Sequence, residues 1–277
     1  MKRTLLFILP MVFLMAIGCN DKATESQPTT EEAAVVAEPA AGQKEIYQLK
    51  VYTFDNAEQS AITDGFLEKA YLPALKSLGI QNIGVFKQRL SETDTINKTY
   101  VLIPLASLDQ LAELEDQVFA NEAFNTNGSE YLNAAHDNPN FTHIESIIMK
   151  AFPDMLQMRP TPLDGPRADR VYELRSYESA SEKLYRNKVD MFNAGGEVKL
   201  FDDLGFNAVF YAEVISGSRM PNLMYMTTFS DQASRDEHWK AFGSSPVWEE
   251  LKNRPNYQNN VSHADLIFLY PTEYSDY

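Results

Sequence analysis

The chain has 277 residues, of which 24 are basic and 39 are acidic, so its formal net charge is −15. This balance argues against a nucleic-acid-binding protein, because there is no excess of positive charge to neutralise phosphates. The 44% share of hydrophobic residues is typical of a globular protein, and the single cysteine excludes an intramolecular disulfide and a cysteine-based zinc site.

Residues 1–18 have the pattern of a secretory signal peptide. Lys2 and Arg3 precede an apolar stretch that is too short to remain comfortably in a bilayer as a permanent helix. The segment that ends in Cys19, AIGC, resembles a bacterial lipobox, in which the cysteine is lipidated and becomes the new N-terminus. We therefore predict a lipid-anchored, extracytoplasmic protein of the bacterial cell envelope. The alternative is an ordinary secretory signal with a chance cysteine.

Residues 19–44 predict a disordered tether. They show no sustained hydrophobic period and are dominated by Ala, Glu, Thr, Val and Pro. Such a segment cannot bury enough apolar surface to offset its chain entropy. Because the acidic chain is repelled by anionic headgroups, we expect contact with the membrane through the N-terminal lipid only.

The rest of the chain contains two copies of one pattern. The segment IYQLKVY at 46–52 recurs as VYELRSY at 171–177, and HIE at 143–145 recurs as HAD at 263–265, with further matches in the same order between them. Collinear matches of this kind predict two homologous units, 45–152 and 170–277. A Pro-rich linker at 153–169 is predicted to connect them in an extended form.

Each copy predicts the same order of elements. A strand with period-two alternation is followed by a helix that ends at Gly79 in the first copy and at Gly205 in the second, with Gly195-Gly196 interrupting the second helix. A hairpin, a second helix and a last strand complete the unit. We expect Ser107 and Ser230 to cap the second helices. The order βαββαβ is that of a ferredoxin-like unit in the α+β class.

Several motifs of the second copy match a known family pattern. They are YELRSY at 172–177, GGE at 195–197, LGF at 204–206, PN at 221–222, Arg235 with Trp239 and Phe242, and PVW at 246–248. These residues resemble the NIPSNAP family, whose domains belong to the dimeric α/β-barrel superfamily. The resemblance implies that the two units form an intramolecular dimeric α/β-barrel, so that the chain is a monomeric pseudo-dimer. It implies no catalytic residues, because relatives range from monooxygenases to haem binders and non-enzymes.

Two classes of function stay open. The first is a non-catalytic module that binds a small apolar or anionic ligand or a protein partner, with no cofactor and no metal. The second is a monooxygenase-like or haem- or iron-dependent oxidative enzyme. We favour the first, because the chain has no nucleophile elbow, P-loop, dinucleotide-binding or HExxH motif.

Candidate ligand-binding residues lie in the first and last strands of the second copy. Period two places Glu173, Arg175 and Tyr177 on one strand face, which we expect to line the barrel. His263 and Asp265 share a face of the last strand, which neighbours the first in a ferredoxin-like sheet. We therefore consider that all five share one face and form one site. The alternative is a hydrogen-bonded network that fixes strand register.

The last strands also carry a repeated His-x-acid motif, at His143 and Glu145 and again at His263 and Asp265. An imidazole and a carboxylate on one face suit a proton-transfer pair or part of an iron site with two His and one carboxylate. Spacing along the chain shows no third ligand. We therefore predict no metal site. We interpret each His-x-acid motif as a pair of polar residues near the solvent-exposed end of a strand.

Overall fold

The computed structural model describes residues 42–90 and 97–277. The predicted signal peptide, Cys19 and almost all of the predicted tether lie outside the described residues. No helix within the described ranges is long and apolar enough to cross a bilayer.

Eight strands within these two ranges form one closed antiparallel barrel. The strands are β1 (Ile46–Phe54), β2 (Gly84–Gln88), β3 (Asn97–Leu105), β4 (His143–Ala151), β5 (Val171–Glu178), β6 (Asn207–Ser216), β7 (Asn222–Phe229) and β8 (His263–Pro271). Around the barrel the order is β1-β3-β2-β8-β5-β7-β6-β4. Each half therefore has the 4-1-3-2 order of a ferredoxin-like sheet, and the pairs β2–β8 and β4–β6 join the halves. The predicted fold class is confirmed.

The helices pack on the outside of the barrel. They are α1 (Ala57–Phe66), α2 (Leu72–Ser77), α3 (Leu108–Phe119), α4 (Glu122–Asn127), α5 (Ser129–Leu132), α6 (Glu182–Phe192), α7 (Glu197–Asp203), α8 (Gln232–Gly243) and α9 (Pro246–Lys252). A π-helical turn, Leu67–Tyr71, joins α1 to α2, and a 3-10 turn, Pro255–Tyr257, follows α9. Two apolar clusters, one in each half, fill the space between these helices and the sheet.

The helix ends follow the sequence pattern with one correction. Gly196 has φ +90°, a conformation that glycine adopts readily, and it separates α6 from α7 as predicted. The Ser107 hydroxyl accepts a hydrogen bond of 3.1 Å from the amide of Gln110, as expected of an N-cap. In the second half the cap is Asp231 instead of Ser230, because its carboxylate accepts the amide of Ser234 at 2.7 Å and also suits the positive helix end.

The inward face of the barrel is apolar. Alternate strand residues from both halves meet there in one buried cluster, which includes Tyr47, Leu49, Val51, Leu102, Met149, Tyr172, Leu174, Phe210, Met224, Met226 and Leu269. Full burial of one such side chain contributes about 1.5–3 kcal/mol to folding. Because each half supplies part of this cluster, the two sheets stabilise each other.

One end of the barrel is closed by the linker and by the C-terminus. Met158 and Leu163 from the linker and the C-terminal Tyr277 pack against the inward-facing cluster. The Thr161 hydroxyl lies 3.1 Å from that of Tyr172. The linker is therefore more than an extended connection, because its apolar side chains form the floor of the barrel.

Candidate functional site

The five predicted ligand-binding residues are divided between the two faces of the sheet. In the β5–β8 ladder, Ser176 pairs with Asp265 and Arg175 pairs with Leu266. Directly paired residues share a face, and faces alternate along a strand. Arg175 therefore lies on the face opposite to His263 and Asp265. The expectation of a shared face is wrong, because it depended on a register that the sequence does not state.

The expectation that Glu173, Arg175 and Tyr177 line the barrel is wrong as well. These side chains point outward toward the helices, whereas Tyr172 and Leu174 point into the apolar cluster of the barrel. The inner faces of two sheets are buried against each other without water, so apolar residues are favoured there. The polar residues of β5 are placed where helix side chains can pair with them.

Glu173 is fully buried and accepts four hydrogen bonds. Its Oε1 accepts from Arg175 Nε at 2.6 Å and from Arg235 Nη2 at 3.2 Å. Its Oε2 accepts from Arg235 Nε at 2.8 Å and from Trp239 Nε1 at 2.9 Å. The hydrogen bonds to Glu173 raise the pKa of Arg235. Because charge-assisted bonds occupy both oxygens, these contacts favour the structural network over a ligand site.

The network continues from Arg175 to strand β7. Arg175 Nη1 donates to the Tyr177 hydroxyl at 2.8 Å, and that hydroxyl lies 3.0 Å from the hydroxyl of Tyr225. The Arg175 guanidinium also stacks on Trp239, 3.7 Å from the ring centre. Burial raises the pKa of Tyr225 well above its ordinary value. These groups tie β5, β7 and α8 together.

His263 and Asp265 lie instead at the open end of the barrel, which we call the mouth. A cavity of about 160 Å³ opens there. Its apolar wall comes from both halves and consists of Leu49, Val51, Tyr100, Ile147, Leu174, Val214, Met224 and Ile267. An apolar protein cavity of roughly 150 Å³ holds benzene. The cavity at the mouth therefore accommodates one small ring or a short chain.

Polar and charged residues also line this cavity: Lys98, Glu145, Ser176, Ser218, Arg219, Asn222 and Asp265. Asn222 is 3% exposed and donates to Ser176 Oγ at 2.8 Å, and its Oδ1 has no hydrogen-bond partner among the described residues. A buried acceptor without a partner costs about 1–3 kcal/mol. Burial, and then the negative charges of Glu145 and Asp265, raise the pKa of Tyr100. Its hydroxyl therefore stays protonated.

The loop 217–221, between β6 and β7, crosses the mouth. Its Ser218 hydroxyl donates to Glu145 of β4. Arg219 forms ion pairs with Asp265 of β8 and, at 3.3 Å, with Glu178 of β5. This loop thereby connects the rims of the two halves.

Glu178 is a polar residue of the mouth that the sequence analysis missed. It pairs directly with His263 in the β5–β8 ladder. One ligand atom each of Glu178, His263 and Asp265 lies within 4.8 Å of the other two, and His263 Nε2 is 3.0 Å from Asp265 Oδ1. Only the register of the two strands reveals this neighbour, because residues 178 and 263 are far apart in the chain.

The first half carries the other His-x-acid motif at the same mouth. Thr53 pairs with His143 in the β1–β4 ladder, and its hydroxyl lies 3.4 Å from the imidazole Nε2. A hydroxyl thus occupies the position that the Glu178 carboxylate occupies opposite His263. In the described residues the two motifs therefore differ by one potential ligand.

Residues 172–276 match the NIPSNAP family model. The match confirms the resemblance for the part of the chain that contains β5 to β8. No curated protein matches the chain in sequence.

Two solved structures of low sequence identity share the fold of the whole barrel. A monooxygenase-like protein from Lactobacillus acidophilus NCFM is 11% identical, with 83% of this chain and 94% of that chain covered and a TM-score of 0.51. One from Fusobacterium nucleatum is 10% identical, with 83% and 93% covered and a TM-score of 0.52. A NIPSNAP-like domain protein from Burkholderia xenovorans is 18% identical over 39% of this chain and 90% of that chain, with a TM-score of 0.35. The first two likenesses show the fold alone.

The cavity at the mouth does not fit a haem. A haem is several times larger than benzene, and a volume of about 160 Å³ holds a group of benzene size. The surrounding wall is packed with side chains of both sheets. No step of the function proposed below therefore passes through a haem.

Proposed function

We propose that the chain binds a small, mostly apolar molecule with one polar group in the mouth of its barrel and does not transform it. The observation that carries the proposal is the unpaired Oδ1 of Asn222 in the wall of a cavity with eight apolar or aromatic lining residues. An acceptor in that position is satisfied by a ligand donor or by water. A pocket with few convergent polar groups is the usual form of a small-ligand site.

The chemistry of the wall favours binding over catalysis. Leu49, Val51, Leu174 and the other apolar residues contribute contact area and no reactive group. Tyr100 keeps its proton, because burial and nearby carboxylates raise its pKa. At the rim, Ser218 and Arg219 are paired with carboxylates. The two carboxylates that line the cavity, Glu145 and Asp265, therefore already have partners, which disfavours a free general base there.

The location and the assembly state are parts of the same proposal. The lipobox-like sequence before Cys19 supports a lipid anchor on the extracytoplasmic side of the bacterial cell envelope. A fatty-acid analogue is expected to label the wild type and not Cys19→Ser, and equal labelling of both contradicts the anchor. The closed ring of strands leaves no unpaired barrel edge in the described residues, which supports a monomer.

Phenol is a suitable probe, because its ring matches the cavity and its hydroxyl can donate to Asn222 Oδ1. We expect calorimetric titration to give tighter binding of phenol than of benzene to the full chain. In Asn222→Leu this preference should disappear, since the acceptor is gone. Met224→Trp should abolish binding of both compounds by filling the cavity.

Tyr177→Phe is the matched control, because it also removes one polar side-chain group but lies on the outer face of β5. It should bind phenol as the wild type does. An undiminished preference for phenol in Asn222→Leu contradicts the proposed site. Recovery of an oxidised product after incubation of phenol with the protein in air contradicts the non-catalytic part of the proposal and favours the oxidative alternative.

A further inference from the structure

We infer that Glu178, His263 and Asp265 form a binding site for a divalent transition-metal cation of the Zn²⁺ type at the rim of the mouth. This site adjoins the cavity proposed above and shares Asp265 with its wall. It brings together one imidazole and two carboxylates on the inward face of two neighbouring strands.

The positions of the three residues are set by the sheet. Glu178 and His263 are directly opposite each other in the β5–β8 ladder, and Asp265 is two residues further along β8 on the same face. Their ligand atoms lie within 4.8 Å of one another. Zn²⁺ binds nitrogen and oxygen ligands at about 2.0–2.2 Å, so a shift of about 1 Å lets the three share one ion. Ligands on strands are held more precisely than ligands on loops.

The chemistry of the three groups suits a transition metal better than an alkaline-earth ion. Imidazole nitrogen is a preferred ligand of Zn²⁺ and its neighbours in the first transition series, whereas Ca²⁺ and Mg²⁺ prefer oxygen alone. Two carboxylates supply the negative charge that offsets the ion. His263 is exposed at the rim, so a cation can enter from solvent, and positions beyond the three ligands stay open to water.

Arg219 provides the counter-charge for the two carboxylates in this structure. Its guanidinium pairs with both Asp265 and Glu178, and its side chain is 49% exposed. An exposed ion pair contributes little to stability, so a bound cation can displace it at low cost. Arg219 lies on the loop 217–221 and can swing out without moving a strand. It therefore competes with the cation for the same oxygens.

A second observation points to an occupant beside these ligands. Asn222 pairs directly with Glu178 in the β5–β7 ladder, so its buried and unpaired Oδ1 lies on the same face of the sheet. A row of three strands thus presents an amide oxygen, a carboxylate and an imidazole at the mouth. A buried acceptor without a partner beside these charged groups supports a ligand site over a solvated strand end.

The test is calorimetric titration of the full chain with Zn²⁺, with no polyhistidine tag and with Cys19→Ser in every variant. We expect one Zn²⁺ per chain. His263→Ala and Glu178→Gln should each weaken binding on the order of tenfold or more, because each removes a ligand. Arg219→Ala should tighten binding, up to about fivefold, since the competing ion pair is lost.

His143→Ala is the matched control, because it removes the same side chain at the same mouth where Thr53 replaces the third ligand. Its Zn²⁺ affinity should equal that of the wild type. Melting curves of all variants confirm that each is folded. Equal weakening by His143→Ala and His263→Ala overturns the site, as does the lack of stoichiometric binding in both the wild type and Arg219→Ala. Phenol is titrated separately, so this result does not depend on the cavity.

Discussion

The two halves of the barrel place different groups at equivalent positions beneath their helices. In β5, Glu173 and Arg175 are joined by Arg235 of α8 in a buried charged network. In β1 the equivalent positions hold Gln48 and Lys50. The same fold is therefore built once around an internal carboxylate and once around a neutral amide.

The first half pairs these residues more loosely. Gln48 donates to Ser146 Oγ at 2.9 Å, and Lys50 Nζ lies 2.9 Å from Glu115 of α3. The Glu115 side chain is 52% exposed, so water screens this ion pair. Buried charge is therefore not required by the fold. The buried carboxylate of Glu173 makes the stability of the second half depend on several partners that must all be present.

The largest expected effect is that of Glu173→Gln, which gives the second half the residue type of the first. The change leaves Arg175 and Arg235 without their shared carboxylate. We expect a loss of about 3–5 kcal/mol in the free energy of unfolding, measured by urea denaturation. Gln48→Leu, which removes one neutral hydrogen bond, should cost about 1 kcal/mol. Equal losses at the two positions contradict the asymmetry.

The next effect is that of Arg175→Met. Glu173 keeps Arg235 and Trp239, so the expected loss is smaller, about 1.5–3 kcal/mol for hydrogen bonds to a charged group. Lys50→Met should cost no more than about 1 kcal/mol, because its partner is exposed. Thermal melting of the two variants side by side measures the difference. Phenol binding by folded Arg175→Met should be unchanged, since the side chain lies on the opposite face from the cavity, and a loss of binding contradicts that placement.

The smallest effect concerns the helix caps, where the halves should not differ. Ser107→Ala and Asp231→Ala each remove a side-chain acceptor for a first-turn amide. Each should cost about 1 kcal/mol in urea denaturation. A much larger loss for Asp231→Ala would show that α8, which also carries Arg235, is held mainly through its cap. Such a result would weaken the explanation that the charged network holds this helix on the sheet.

Much of the fold could be predicted from local patterns. The repeated order of elements, the break at Gly195-Gly196 and the cap at Ser107 are each encoded by residues close together in the chain. Period two also grouped Glu173 with Arg175 on one face correctly. Which face is inward could not be predicted by polarity alone, because both faces of this sheet are buried, one by the other sheet and one by helices.

The site was harder to predict because it depends on register. A shift of one residue between two strands exchanges the faces of all their partners. Such a shift is invisible in the sequence, so the shared face of Arg175 and His263 was assumed. Without the register, Glu178 could not be recognised as part of the site either. It directly follows the motif at 172–177 in the sequence, but it becomes a neighbour of His263 only in the β5–β8 ladder.

The closed floor of the barrel is also the place where the chain enters it. The amide of Glu45 donates to the carbonyl of Leu156 at 2.9 Å, and the Glu45 carboxylate accepts the amide of Met158 at 2.7 Å. From there β1 runs for nine residues, roughly 30 Å along the strand, toward the mouth. The mouth therefore lies at the end of the barrel opposite to the one where β1 begins.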